Sequence, residues 1–209
     1  MQNKGFTLIE MIIAIAIFMI VAVVAVGSLV RIVALNRQAQ TLQASVNNIS
    51  FALDSMSREI RQGAKIGCSP TTYTGGSINP STYASTECDT GVSNLIVFQT
   101  GKTDAAHTCN FYNAYWFNTT GVTGQYTLLK AQQTACNQQM SQNQIGSNAV
   151  FYPVIDDKSV VLTNYGLGVF TSAPFTYKWV LLHLAGYALR DQGQNTFDVE
   201  TSVSQRIND

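Results

Sequence analysis

From Met11 to Val30 the chain carries twenty consecutive residues without a charge, MIIAIAIFMIVAVVAVGSLV. As a helix rising about 1.5 Å per residue, such a run crosses the roughly 30 Å of a bilayer's hydrocarbon. It is too long for the 7 to 15 apolar residues of a cleaved secretory signal, about the length such signals use. The pattern then changes without breaking. Leu35, Ala39, Leu42, Val46, Ile49, Leu53, Met56 and Ile60 recur at alternating spacings of four and three, with mostly Gln, Asn, Ser and Arg between them, which predicts one apolar stripe on a helix. No proline precedes Pro70, so a single helix can extend from about Phe6 to Arg61. Gly63 is its expected stop, with Arg58, Arg61 and Lys65 complementing the negative end of the helix dipole. Phe51 lies off the stripe, either as an ordinary exposed aromatic or as a contact to another subunit.

Beyond the helix the pattern becomes that of strands. Gly67 to Ser93 is rich in Ser, Thr, Gly and Pro and shows neither helical nor strand period, so it reads as a long irregular loop. Asn94 to Thr100, Asn110 to Phe117, Gln125 to Lys130, Ser159 to Thr163, Leu167 to Thr171, Tyr177 to Leu189 and Thr196 to Gln205 are rich in β-branched and aromatic residues, as strands are. In the last of these, Phe197, Val199, Thr201 and Val203 alternate with Asp198, Glu200, Ser202 and Ser204, which predicts one wet face. Trp179-Val180-Leu181-Leu182 is apolar on both faces and is expected to be the central strand under the long helix. Gly166-Leu167-Gly168 reads as a turn.

A length of 209 residues allows one domain and an added element, which excludes a large multidomain enzyme. Charged residues are only 11% of the chain, against about 25% in an average soluble domain. The net charge of zero conceals a split: Met1 to Lys65 has six basic and three acidic residues, and Ile66 to Asp209 has six basic and nine acidic. An acidic body of this kind argues against nucleic acid as a partner.

Four cysteines follow the apolar run, at Cys68, Cys88, Cys109 and Cys136. Beyond a membrane they meet an oxidising compartment and read as disulfides. Three pairings are possible. The sequential one, Cys68 with Cys88 and Cys109 with Cys136, is favoured, and closing a loop of about twenty residues contributes ~3 kcal/mol in the chain-entropy account. Zinc is the weaker reading, because there is no Cys-x-x-Cys and His107-Thr108-Cys109 supplies too few ligands. No metal or cofactor is expected.

Catalytic chemistry is not readable. His107 and His183 are the only histidines, and neither stands in a Gly-x-Ser-x-Gly or His-Glu-x-x-His setting. His183, in an apolar strand, reads as a core residue, and Asp156-Asp157 as a solvated turn in preference to a calcium loop.

Directly before the apolar run stands Lys4-Gly5-Phe6-Thr7-Leu8-Ile9-Glu10. This segment resembles the N-terminus of type IV prepilins, shared by major pilins, minor pilins and the pseudopilins of type II secretion. The resemblance implies cleavage after Gly5 by a prepilin peptidase and N-methylation of the new first residue, Phe6. It also implies that Glu10 pairs with the Phe6 amine of a neighbouring subunit as helices enter a filament core. Physical chemistry gives Glu10 its own weight, since a carboxylate at the edge of an apolar helix is costly unless partnered; the plain alternative is that it snorkels to the lipid headgroups. More loosely, Ala52 to Arg61, Leu162 to Asn164 and Phe197 to Arg206 are similar to minor pilins and the J-type minor pseudopilin.

The expectation is therefore an α+β, pilin-like fold in which a long N-terminal helix, half transmembrane and half amphipathic, packs on a C-terminal antiparallel sheet. Residues 1-5 would be a leader, 6-30 the transmembrane and filament-core helix, 31-63 its amphipathic continuation, and 64-209 an extracytoplasmic β-rich body stapled by disulfides. The implied partners are the prepilin peptidase, other pilin or pseudopilin subunits, an inner-membrane assembly platform and membrane lipid. The implied location is the bacterial inner membrane, spanned once, and then a pilus or pseudopilus. A major pilin, a membrane-anchored binding module or adhesin that never polymerises, and an anchored enzyme are the competing readings.

Overall fold

The computed structural model describes residues 7–84, 86–88, 93–103, 109–142, 148–156, 159–172, 177–189 and 196–205. It divides into two units, Met1–Gln43 and Ala44–Asp209. Helix α1 (Leu8–Gln62) runs through both as 55 unbroken residues.

In the first unit α1 presents apolar side chains in every direction. Ile17, Phe18, Met19 and Ile20 are consecutive, so they point about 100° apart, and each is more than half exposed. A helix apolar all round requires an apolar surrounding. The one hydroxyl in the run, Ser28, donates to Val24 O at 3.0 Å, so the helix satisfies its own polar group without water.

The second unit is built on the remainder of α1, which buries Ser45, Ile49, Ala52, Leu53, Met56 and Ile60. The stripe is shorter than the sequence predicts and turned slightly at its start. Leu35, Ala39 and Val46 are exposed and Leu42 is half-buried. Ser45 takes the place of Val46 on the buried face because its hydroxyl donates to Ser159 O at 3.2 Å. Phe51 is 74% exposed.

Against this face stands an eight-stranded sheet whose pairings are all antiparallel. β1 (Ala64–Cys68), β2 (Leu95–Thr103), β3 (Asn110–Thr119) and β4 (Tyr126–Gln132) form one meander. β8 (Val160–Ser172), β9 (Tyr177–Ala188) and β10 (Thr196–Ser204) form another. Between them in the chain lie β5 (Met140–Ser141) and β6 (Ala149–Val150), paired parallel to each other, and β7 (Tyr152–Pro153), paired to β4. Among the described residues the ladders of the two meanders join at one pair, Tyr126 with Leu162. The α+β architecture is the expected one.

The sheet's inner face forms one core with α1, in which Phe98, Tyr115, Leu128, Leu162, Leu182 and Val203 meet Met56 and Ile60. The outer face is treated unevenly. Behind β2, β3 and β4 a second core forms, where Trp116 packs edge-on to Tyr73 at 4.8 Å and to Phe151 at 5.3 Å. The chain that covers it includes the short helix α2 (Pro80–Tyr83), which starts at Asn79, whose side chain accepts from Ser81 N–H at 3.3 Å. Behind β8, β9 and β10 no such layer is found among the described residues, and Trp179, stacked on Phe170 at 4.5 Å, stays 36% exposed.

Several expectations need correction. β9 is not the central strand but second from the edge, between β8 and β10. Its apolar character on both faces reflects Val180, Leu182 and Leu184 facing the core, while Trp179 and Leu181 face outward. Gly166 and Gly168 do not turn the chain; the two segments they separate are one strand, β8. A Cβ on Gly166 would sit 3.1 Å from the Cβ of His183 across the ladder, so the glycine serves close strand approach. Gly63 follows the last helical residue, yet its constraint is likewise contact: a Cβ there would lie 2.7 Å from a ring carbon of Phe98. The left-handed residue is Lys65, at φ 46°. The stretch from Gly67 to Ser93 is not wholly irregular, since it opens within β1 and contains α2 and bridges at Ile78 and Cys88.

Candidate functional site

The site with the clearest chemistry in the sequence is the start of α1. Thr7 precedes the first helical residue and Glu10 lies in the first turn. The Glu10 N–H donates to Thr7 O at 3.1 Å and to Thr7 Oγ1 at 3.4 Å, and Met11 N–H donates to Thr7 O at 3.3 Å. Thr7-Leu8-Ile9-Glu10 thus has the spacing of a capping box, a signal present in the sequence itself. It engages the Glu10 backbone and leaves the carboxylate, which is exposed and joins no ion pair among the described residues. An acid here also complements the positive end of the helix dipole. Lys4, Gly5 and Phe6 lie outside the described residues, as do His107 and Asp157.

The cysteines are joined as Cys68–Cys88, with Cα atoms 6.1 Å apart, and Cys109–Cys136, at 5.9 Å. The two bonds do different work. Cys68 is fully buried and Cys88 nearly so. Cys68 N–H donates to Thr86 O at 3.1 Å, while Cys88 and Val169 exchange backbone hydrogen bonds of 3.3 and 3.0 Å. This staple therefore fixes residues 86–88 between β1 of one meander and β8 of the other. Lys178 reinforces that seam by donating to Ile66 O at 2.9 Å, and burial lowers its ammonium pKa from the ordinary value. Cys109–Cys136 is more open, with Cys136 exposed.

A polar network ties α1 to the first meander. Glu59 is ion-paired to Lys130 and accepts from Tyr115 Oη at 3.0 Å and Asn113 Nδ2 at 3.1 Å. Burial, and then the Glu59 charge, hold the Tyr115 phenol well above its ordinary pKa. A cleft of about 370 Å³ opens beside it, lined by Glu59, Phe98, Lys102, Asn113 and Gln132 among others. Its lining has no histidine or cysteine, and its carboxylate is already engaged. Sequence reasoning missed this network because Lys130 is 71 positions from Glu59, and no local pattern links them. His183, expected in the core, lies half-exposed on the outer face with Nε2 2.7 Å from Asp198 Oδ1. Among the described residues no three His, Cys, Asp or Glu side chains gather as metal ligands would.

One family description matches the chain, the prokaryotic N-terminal methylation motif, over residues 1–26. The N-terminus is type IV pilin-like. No curated protein and no solved structure matches the chain. The motif is that of type IV pilin-like prepilins, which a peptidase processes and which assemble with other pilin subunits; the family is structural, not enzymatic. The matched residues include the exposed apolar start of α1, which is long and apolar enough to cross a membrane. The observed fold, one long helix and then an antiparallel sheet, is pilin-like as well.

Proposed function

We propose that this chain is a minor pilin or pseudopilin, held in the inner membrane by the first half of α1 and later assembled into, or at the tip of, a type IV pilus or type II secretion pseudopilus. The observation that carries the proposal is a division of labour within one helix. The described start of α1 keeps its large apolar side chains exposed, and its Glu10 carboxylate joins no ion pair among the described residues, whereas Ile49 to Ile60 are buried in the core of the second unit at Ile49, Ala52, Leu53, Met56 and Ile60. A plain anchor needs the apolar surface but not the acid. In the proposed role Gly5 is the residue before cleavage, Phe6 carries the methylated amine, and Glu10 pairs with that amine on a neighbour. Residues 1-5 are the leader, 6-30 the membrane and filament-core segment, and the body lies across the membrane from the cytoplasm, in an oxidising compartment that lets its disulfides form. The long insertion that follows β1, tied down by Cys68–Cys88, favours a minor subunit over the repeating subunit of a shaft.

Mass spectrometry of the protein extracted from membranes tests the processing step. It should find an N-methylated Phe6 at the N-terminus, and Gly5→Val should leave the five-residue leader attached. An intact Met1 terminus in cells that contain the peptidase would remove the proposal and leave a simple anchored module.

A further inference from the structure

The two edges of the sheet are built differently. β1, at one edge, has five residues, a register shift between Ala64 and Gly67, a left-handed Lys65 and an N–H at Cys68 already given to Thr86 O. These are the devices by which proteins keep an edge from pairing with another chain. β10, at the other edge, has none of them. Its nine residues pair with β9 from Thr196 to Ser204 without a shift, and the strand contains no Pro, Gly or Lys. Among the described residues no other strand pairs with it, and no other backbone group is bonded to its outer side.

Its side chains say what could pair there. On the inner face Phe197 and Val199 are only half-buried, so the apolar layer under the sheet is unfinished at this edge. On the outer face Asp198 and Glu200 are exposed; Asp198 meets His183 on the β9 side, and Glu200 joins no ion pair among the described residues. A second copy of β10 would bring the same two carboxylates against these, and like charges across a ladder are destabilising. Among the described residues the edge is therefore open to addition, but it is set against itself.

We infer that β10 is a docking edge for an extended segment of a different protein, in which apolar residues alternate with Lys or Arg. Backbone hydrogen bonds supply the attachment, the apolar residues extend the layer of Phe197 and Val199, and the basic ones face Asp198 and Glu200. The inference does not depend on whether the chain enters a filament.

The test uses the full chain in nanodiscs of zwitterionic lipid and two end-capped peptides, one alternating Val with Lys and one alternating Val with Glu, with hydrogen exchange and affinity as readouts. The Val–Lys peptide should slow exchange of β10 amides, leave those of β2 to β4 unchanged, and bind about tenfold more tightly than the Val–Glu peptide, since two cross-strand charge pairs change sign. Asp198→Lys with Glu200→Lys should invert that preference. If the double variant loses protection in β2 to β4, and so is not folded, Glu200→Gln alone should narrow the preference in the same direction. Binding that leaves β10 amides unprotected, no binding, or a preference indifferent to these substitutions would overturn the inference.

Discussion

The two ends of α1 use the same kinds of residue for opposite purposes. Between Leu8 and Val33 the large apolar side chains are 44% to 79% exposed, whereas Ile49, Leu53, Met56 and Ile60 are at most 8% exposed. The difference lies in arrangement. In the first stretch apolar residues fill every helical direction, which no single sheet can cover; in the second they recur every three or four positions and meet one sheet. Hydrophobicity thus marks both regions, and only the period tells which one folds the body.

Substitution can break that comparison. Met56→Ala leaves a cavity between α1 and the sheet and should cost about 2 to 5 kcal/mol of body stability, whereas Ile17→Ala should change it by less than ~0.5 kcal/mol. Chemical denaturation of the full chain in detergent, followed by the fluorescence of Trp116 and Trp179, measures both. Equal losses would mean that the first half of the helix also supports the body.

The staples sharpen the picture inside the body. Replacing Cys68 and Cys88 together by Ser should cost about 3 kcal/mol and raise hydrogen exchange along β8 and β9, because residues 86–88 then no longer hold the seam between the meanders. Under mild reductant the exposed Cys109–Cys136 bond should open first, as access controls exchange. Peptide mapping with timed alkylation reads that order, and simultaneous opening would contradict it.

A smaller effect concerns alkaline pH and touches only the second unit. Burial, with a lesser push from Tyr83, raises the Tyr73 phenol to about 12, and Tyr115 is raised as well. A raised folded-state value means that the unfolded chain loses its proton first, so stability is full below about pH 10, the ordinary tyrosine value, and falls as pH rises toward 12. Tyr73→Phe should flatten part of that decline in denaturation series across this window. An unaltered slope would show that Tyr73 titrates normally.

What the sequence revealed follows the range over which its signals act. The apolar run, the stripe from Ile49 to Ile60 and the alternation from Phe197 to Val203 are local periods, and they are seen as read. Strand order is not local. Trp179 to Leu182 reads as central because it is apolar on both faces, but only the fold reveals that one of those faces is left open near an edge. Gly166 reads as a turn because its true constraint, the Cβ of His183, comes from the neighbouring strand. At the candidate assembly site Glu10 stands out in the sequence through its apolar setting, whereas the bond between Glu59 and Lys130 emerges only when distant segments meet.

The comparison between the two ends of α1 rests finally on Glu10, the one acid in the apolar start of the helix, which joins no ion pair among the described residues. Glu10→Val removes its charge without touching the stripe, so membrane insertion should be retained or improved and the stability of the body unchanged. The decisive measurement is the amount of Glu10→Val protein recovered in sheared filaments relative to the unsubstituted chain at equal cellular level. Loss or strong reduction is the expected result; undiminished incorporation would contradict the assembly role and leave Glu10 a carboxylate that merely reaches the lipid headgroups.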